Sequence, residues 1–241
     1  VKLLDLPFND RRRRYLVFHN RDLPDQLALL STTTTEAFES IGSSRFFLST
    51  DHRILAKVVP DKFDRRQAPL KWLLQDYIEK RWLAQSDGRM EYLSLQVLRR
   101  AGLKTPRCYG WGISLNPNNR SASLLLMERV HGTRPGGEVF DEMDEAGREA
   151  FLERLCEQVA QLAHMGYTHR DLHYNNLLID AKGEIYWIDA HVRRLPSKNA
   201  DQWPALKRSL TATKLRGEEY RKKAENRLET LWHQESWRYN R

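Results

Sequence analysis

His169-Arg170-Asp171-Leu172-His173-Tyr174-Asn175-Asn176, followed by Leu177-Leu178-Ile179-Asp180 and then by Trp187-Ile188-Asp189-Ala190, decides how this 241-residue chain is read. Asn176 comes five positions after Asp171 (176 − 171), and Asp189 thirteen after Asn176 (189 − 176). Upstream, Phe151, Leu155, Val159, Leu162 and Ala163 fall at i, i+4, i+8, i+11 and i+12, one apolar stripe of a helix that Gly166 ends. Downstream, Leu177–Ile179 and Ile185–Ile188 read as short strands around the turn Asp180–Gly183. The hairpin sets the polar loop beside Asp189. Taken singly, Asp and Asn are ordinary turn residues and His169 reads as a packed histidine. Jointly, in this spacing and between a helix and a hairpin, they read as a working centre.

Moving outward, Arg107–Ile113 and Ser121–Val130 read as strands flanking the turn cluster Asn116-Pro117-Asn118-Asn119. A helix over 89–101 is closed by Gly102, with Pro106 just beyond. Residues 68–84 carry Leu70, Leu73, Leu74, Tyr77 and Ile78 at helical spacing. Earlier still, Phe38–Ile41, Arg45–Leu48 and Ile54–Val59 read as strands, separated by Gly42-Ser43-Ser44 and by a polar turn over 50–53. From Asp201 onward the chain reads as helical and highly charged. A strand-rich first half and a helix-rich second half make an α+β chain. The expected parts are an N-terminal lobe, 1–130, with an inserted helix near 68–84, and a compact helical C-terminal lobe, 131–241.

The central stretch resembles the catalytic loop H-R-D-x-x-x-x-N and the metal-binding D-F-G position of protein kinases and their relatives. The resemblance implies a two-lobed protein-kinase-like fold using ATP and Mg2+. It makes Asp171 the catalytic base and Asn176 and Asp189 the metal ligands. The chemistry suits these residue types: a carboxylate accepts the hydrogen bond of an attacking hydroxyl, and magnesium takes a few hard oxygen ligands while keeping its waters. Leu55-Ala56-Lys57-Val58-Val59 resembles the V-A-I-K strand, so Lys57 is expected at the α/β-phosphates, with Glu91 as its ion-pair partner and Glu79 as the fallback. Leu125-Leu126-Met127-Glu128-Arg129-Val130 resembles the segment that receives adenine through backbone groups, which singles out Glu128 and Val130. Gly42, Ser43 and Ser44 are expected to cover the phosphates, with one glycine where protein kinases have three.

Only 52 residues (241 − 189) follow Asp189, and no activation segment, A-P-E element or large helical subdomain is visible among them. Arg170 has no evident phosphosite to serve, and His173 stands where protein kinases usually carry lysine. Residues 36–210 most resemble the bacterial lipopolysaccharide core kinases, which phosphorylate heptose or Kdo sugars. That match rests on the compact C-terminal part, the single-glycine loop, Asp-Leu-His-x-Asn-Asn, and Ile188-Asp189-Ala190-His191 followed by Arg193-Arg194-Leu195-Pro196. It implies a cytoplasmic enzyme, peripheral to the inner face of the inner membrane, acting on lipopolysaccharide core oligosaccharide or another anionic glycan. A soluble aminoglycoside- or choline-type kinase is the alternative, and a protein kinase a more distant one.

Bulk properties fit this. Hydrophobic residues make up 40 % and charged residues 30 %, the balance of a globular chain. No run approaches a membrane span, and Val-Lys-Leu-Leu-Asp is not the start of a signal peptide. Cys108 and Cys156 have neither metal-ligand nor disulfide spacing, and Cys156 reads as core. From Arg193 to Arg241 there are 13 Lys/Arg against 6 Asp/Glu, and Arg11–Arg14 is a second basic block. The tail is expected to draw an anionic acceptor; no nucleic-acid-reading motif accompanies it. Trp72, Trp82, Trp203, Trp232 and Trp237 are expected in the core.

Overall fold

The computed structural model describes residues 1–8, 12–32, 35 and 44–233. The chain divides into two units, one of Val1–Leu93 with Pro106–Val130 and one of Ser94–Thr105 with His131–Arg241. Residues 94–105, placed in the first lobe by the sequence reading, therefore go with the second unit.

The first unit is built on a seven-stranded antiparallel sheet. Its strands are β1 (Lys2–Pro7), β2 (Arg12–His19), β3 (Leu29–Leu30), β4 (Arg45–Ser49), β5 (Ile54–Val59), β6 (Cys108–Ile113) and β7 (Ser123–Glu128), in the order β1-β2-β6-β7-β5-β4-β3. β5 and β7 are near-continuous apolar runs and lie at the centre, buried along almost their whole length. Their register sets Lys57 opposite Leu125, with Phe46 of β4 on its other side. The β1–β2 hairpin was not expected from the sequence. It contributes Leu4, Leu6, Tyr15 and Val17 to the core. The basic block lies partly on β2, where Arg14 bridges to Asp5 across the hairpin at 2.8 Å and Arg13 donates to Asn119 Oδ1 at 3.1 Å. The expected strand Phe38–Ile41 falls outside the described residues.

After β5 comes a short helix α1 (Pro69–Lys71) that continues as a π-helix, Trp72–Trp82, whose end is marked by an i→i+5 bond from Leu83 N–H to Ile78 C=O of 3.0 Å. Its buried face is polar. Asp76 accepts from the N–H groups of Lys62 and Phe63 and pairs with Lys80 at 2.8 Å, while Arg81 pairs with Asp61 at 2.9 Å and donates to Asn119 C=O. Trp72 packs inward as expected, but Trp82 is 74 % exposed. The helix α2 (Asp87–Arg100) follows. The first turn of α2 is pinned to β7: Gly88 N–H donates to Ser123 Oγ at 2.6 Å, and any side chain at 88 would collide with the Leu124 carbonyl oxygen.

The second unit holds β8 (Thr133–Pro135), α3 (Gly136–Glu142), α4 (Glu145–His164), β9 (Tyr167–His169), β10 (Leu177–Asp180), β11 (Ile185–Trp187), β12 (Val192–Arg194), α5 (Asn199–Lys207) and α6 (Glu218–His233). β11-β10-β8 and β12-β9 form two small antiparallel sheets. Asp144 caps α4 by accepting from Gly147 N–H. The apolar stripe of α4 faces inward, and Cys156 meets Ala224 of α6; burial pushes its thiol up to about 12, so it is core and not a nucleophile. Beside this contact the helices exchange charge. Glu145 and Glu149 of α4 hold Lys223, and Glu153 and Glu157 hold Arg227. Arg221 is paired within α6 to Glu218 and Glu225. Much of the positive tail is thus spent on acids of the same unit. Arg193, Arg194, Lys198, Arg208 and Lys222 of the tail remain exposed. Trp237 lies outside the described residues.

Candidate active site

In the first unit, Lys57 and Glu91 form a bidentate pair. Lys57 Nζ lies 3.1 Å from Glu91 Oε1 and 2.9 Å from Oε2, and both residues are buried. Lys57 comes from the central strand β5 and Glu91 from the first half of α2. Glu79, the fallback, is on the exposed side of the π-helix. A buried ammonium–carboxylate pair is costly to desolvate and adds little net stability, so its presence at this depth points to a use for the cation. Glu128 N–H donates to Arg107 C=O at 2.7 Å, while Glu128 Oε2 accepts from Arg107 N–H. Val130 is half-buried just beyond β7. Gly42 and Ser43 lie outside the described residues, and Ser44 is half-buried just before β4.

In the second unit the loop 169–176 is held from beneath. Tyr174 is fully buried and packs its ring against Phe140 and Phe151, at 4.6 and 5.3 Å between centroids. Gly136 and Gly137 open α3 directly under the loop: a Cβ on Gly136 would press on the Tyr174 carbonyl oxygen, and one on Gly137 would strike Asn175 Oδ1. The pairing of β9 with β12 sets His169 opposite Val192, and Arg170 N–H donates to His191 C=O at 2.7 Å. His169 is buried and accepts from His191 N–H at 3.3 Å; burial, then His191, brings it down to about 4, so it stays neutral. The Arg170 side chain is exposed, in keeping with its lack of a phosphosite.

Asn176 Nδ2 donates to Asp171 C=O at 2.9 Å, which fixes the amide and turns Oδ1 away as the atom available to a cation. The carbonyl of Asn176 accepts from Ile188 N–H at 2.9 Å, so Asp189 follows immediately beside the loop. Asp189 has φ of 49°, a left-handed backbone that a non-glycine residue adopts only when its surroundings impose it. Among the described residues, no cluster of three or more His, Cys, Asp or Glu side chains is arranged to hold a metal. Magnesium asks for less: one carboxylate and one amide oxygen, with water and phosphate oxygens completing its shell, and Asp189 with Asn176 would supply that donor set.

Lys214 was not singled out from the sequence. It lies on the turn between α5 and α6, and its Nζ is 2.5 Å from Asp171 Oδ1. This ammonium holds the Asp171 carboxyl below the usual range, against a smaller opposing effect of burial. The neighbouring Arg216 has φ of 61° and pairs with Asp141 of α3 at 2.8 Å. Leu215, between them, is fully buried and anchors the turn.

Residues 54–223 match the family described as the lipopolysaccharide kinase (Kdo/WaaP) family. Among curated proteins none matches the chain. Among solved structures, the chain is similar to WaaP in complex with acyl carrier protein, with 15 % identity and a TM-score of 0.48, covering 88 % of this chain and 93 % of that one. It is also similar to WbdD, with 17 % identity and a TM-score of 0.45, over 81 % of this chain but only 36 % of that one. A kinase of the Cydia pomonella granulovirus gives 16 % identity and a TM-score of 0.41, over 77 % and 55 % of the two chains.

Proposed function

This chain belongs to the lipopolysaccharide kinase (Kdo/WaaP) family and is a kinase, and we propose that it phosphorylates a hydroxyl of a heptose or Kdo sugar in a lipopolysaccharide inner core, with ATP and Mg2+. The observation that carries this reading is the extent of the family match. It runs from β5 to α6 and contains Lys57, Glu91, Glu128, Val130, Asp171, Asn176 and Asp189 together.

In this proposal Lys57 binds the α/β-phosphates, and Glu91 keeps its ammonium from turning away. Glu128 and Val130 receive the adenine through backbone groups. Since the Glu128 N–H is already given to Arg107, the contact from that residue falls on its carbonyl. Gly42, Ser43 and Ser44 cover the phosphates. Asn176 and Asp189 hold magnesium, which neutralises phosphate charge when bound. Asp171 accepts the hydrogen bond of the sugar hydroxyl and orients it for attack. Lys214 joins this set. An ion pair between two partly exposed side chains is worth only about 0–1 kcal/mol to stability. Beside the base it neutralises a carboxylate and presents N–H donors toward the phosphoryl oxygens, where charge develops during transfer.

The test offers the protein, with ATP and magnesium, dephosphorylated core oligosaccharide, an aminoglycoside, choline and a general protein substrate, and reads products by mass. Phosphate on the oligosaccharide alone is expected. Phosphate on the aminoglycoside or choline alone would move the acceptor to the small-molecule class. A cytoplasmic site at the inner face of the inner membrane belongs to the same proposal. Among the described residues no helix is long and apolar enough to cross a membrane.

A further inference from the structure

The helical segment after β5 is inside out. Asp76 is 0 % exposed and Lys80 and Arg81 are buried, whereas Leu70 is 73 %, Leu74 59 %, Trp82 74 % and Leu83 55 % exposed. The inversion is locked. Lys80 bridges Asp76 and Asp87 at 2.8 Å each, Arg81 is held by Asp61 and Asn119, and Trp72 Nε1 donates to Asp61. Rolling the apolar side inward would break all of these and strand buried charges, so this face stays outward.

The segment leading into this helix is positively charged. Lys62, Arg65, Arg66 and Lys71 are exposed, and the acids among them are largely taken: Asp61 and Asp76 by the buried pairs, Asp64 by Arg120. Glu79 is the exposed acid of the segment. An outward face of leucines closed by a tryptophan, in a segment whose exposed charges are mostly Lys and Arg, has the chemistry of a helix lying in the plane of a membrane interface. A second copy of the chain fits this face poorly, because a two-fold contact would bring the same cations together.

We propose that residues 62–83 dock on the surface of an anionic lipid bilayer, with Leu70, Leu74, Trp82 and Leu83 entering the headgroup–acyl boundary and the cations meeting the headgroups. The π-helix is then a membrane anchor that leaves the rest of the first unit in water. Such docking would bring the enzyme to a lipid-held acceptor. The proposal stands on this surface alone and not on the acceptor's identity.

The experiment is co-sedimentation of the full chain with vesicles of phosphatidylcholine, and of phosphatidylcholine mixed with phosphatidylglycerol. Wild type is expected to bind the anionic vesicles, less so as salt is raised. Leu74→Ser, Trp82→Ser and Leu83→Ser combined should weaken partition by at least about tenfold. Arg65→Gln, Arg66→Gln and Lys71→Gln should lose about fivefold per charge on anionic vesicles only. The substituted side chains are exposed, so the melting temperature should hold in every variant. Three results would overturn the proposal: wild type that ignores anionic vesicles, an apolar triple variant that binds as wild type does, or a solution dimer that the apolar substitutions disperse. Vesicle binding needs neither ATP nor acceptor, so its failure would leave the kinase reading standing.

Discussion

Lys214 Nζ lies 2.5 Å from Asp171 Oδ1, so the carboxylate at the head of the loop is ion-paired by a residue 43 positions downstream (214 − 171). Lys214→Met should lower kcat by about 10²-fold, and Lys214→Arg should restore part of it. ADP affinity should stay within about twofold of wild type, while the complex of ADP with aluminium fluoride, which mimics the transferred group, should weaken by tenfold or more in calorimetry. Equal affinities for both ligands in mutant and wild type would show that Lys214 does not reach the phosphoryl group.

Asp171→Ala and Asp189→Ala should fail differently. Loss of Asp171, the proposed base, should cost about 10²–10⁴-fold in kcat with ATP binding nearly intact. Loss of Asp189, the proposed metal ligand, should remove the magnesium dependence of nucleotide binding along with turnover. A kcat for Asp171→Ala within about threefold of wild type would mean that the loop has been misread.

The Lys57–Glu91 pair predicts an ordered series. Lys57→Met takes the bidentate ammonium from a buried carboxylate, so it should cost about 3 kcal/mol of stability as well as most of the activity. Glu91→Gln keeps a hydrogen-bond acceptor and should be milder on both counts. Glu79→Gln, on an exposed face, should be silent. Chemical denaturation and kinetics of the three variants check the order.

Acid should loosen the π-helix. Burial raises the Asp76 carboxyl, but Lys80 and the N–H groups of Lys62 and Phe63 outweigh it and hold the group below its ordinary range. A depressed folded value stabilises above the unfolded value of about 3.9, and that contribution is lost as pH falls through the lower, folded value. Asp76→Asn should therefore lower the melting temperature near neutral pH and flatten its decline below about pH 4. Parallel melting curves for wild type and mutant across that range would show that Asp76 carries no such linkage.

Gly137→Ala should impair catalysis without unfolding the protein. The added methyl would meet Asn175 Oδ1 and the Arg216 guanidinium, both at the protein surface side of the loop, and would displace the turn bearing Asp171. A fall in kcat with far-ultraviolet circular dichroism unchanged is expected; full activity would show that the loop tolerates the displacement.

Much of this was legible in the chain. The loop, the strand with Lys57, and α4 with its apolar stripe are local patterns, and residues a few positions apart are held to a few ångströms by covalent geometry. Glu91 was readable through the kinase resemblance, which asks for an acid on the helix after the lysine-bearing strand and left Glu79 as the fallback. The β1–β2 hairpin was missed because its strands mix apolar and charged residues on both faces, and its pairing with β6 spans some hundred residues. The stripe of leucines over 70–78 was read correctly as helical, but its direction was invisible: periodicity gives a face, not which way it points.

The amino-acid sequence by itself determined the residue types of the loop 169–176, their spacing and the order of the elements. Only the tertiary structure decided which charges meet. It turned Asp76, Lys80 and Arg81 inward, gave Lys223 and Arg227 to the glutamates of α4 instead of to solvent, and brought Lys214 onto Asp171. An ion pair forms through a few ångströms of space, and separation along the chain says almost nothing about that distance once the intervening elements have folded.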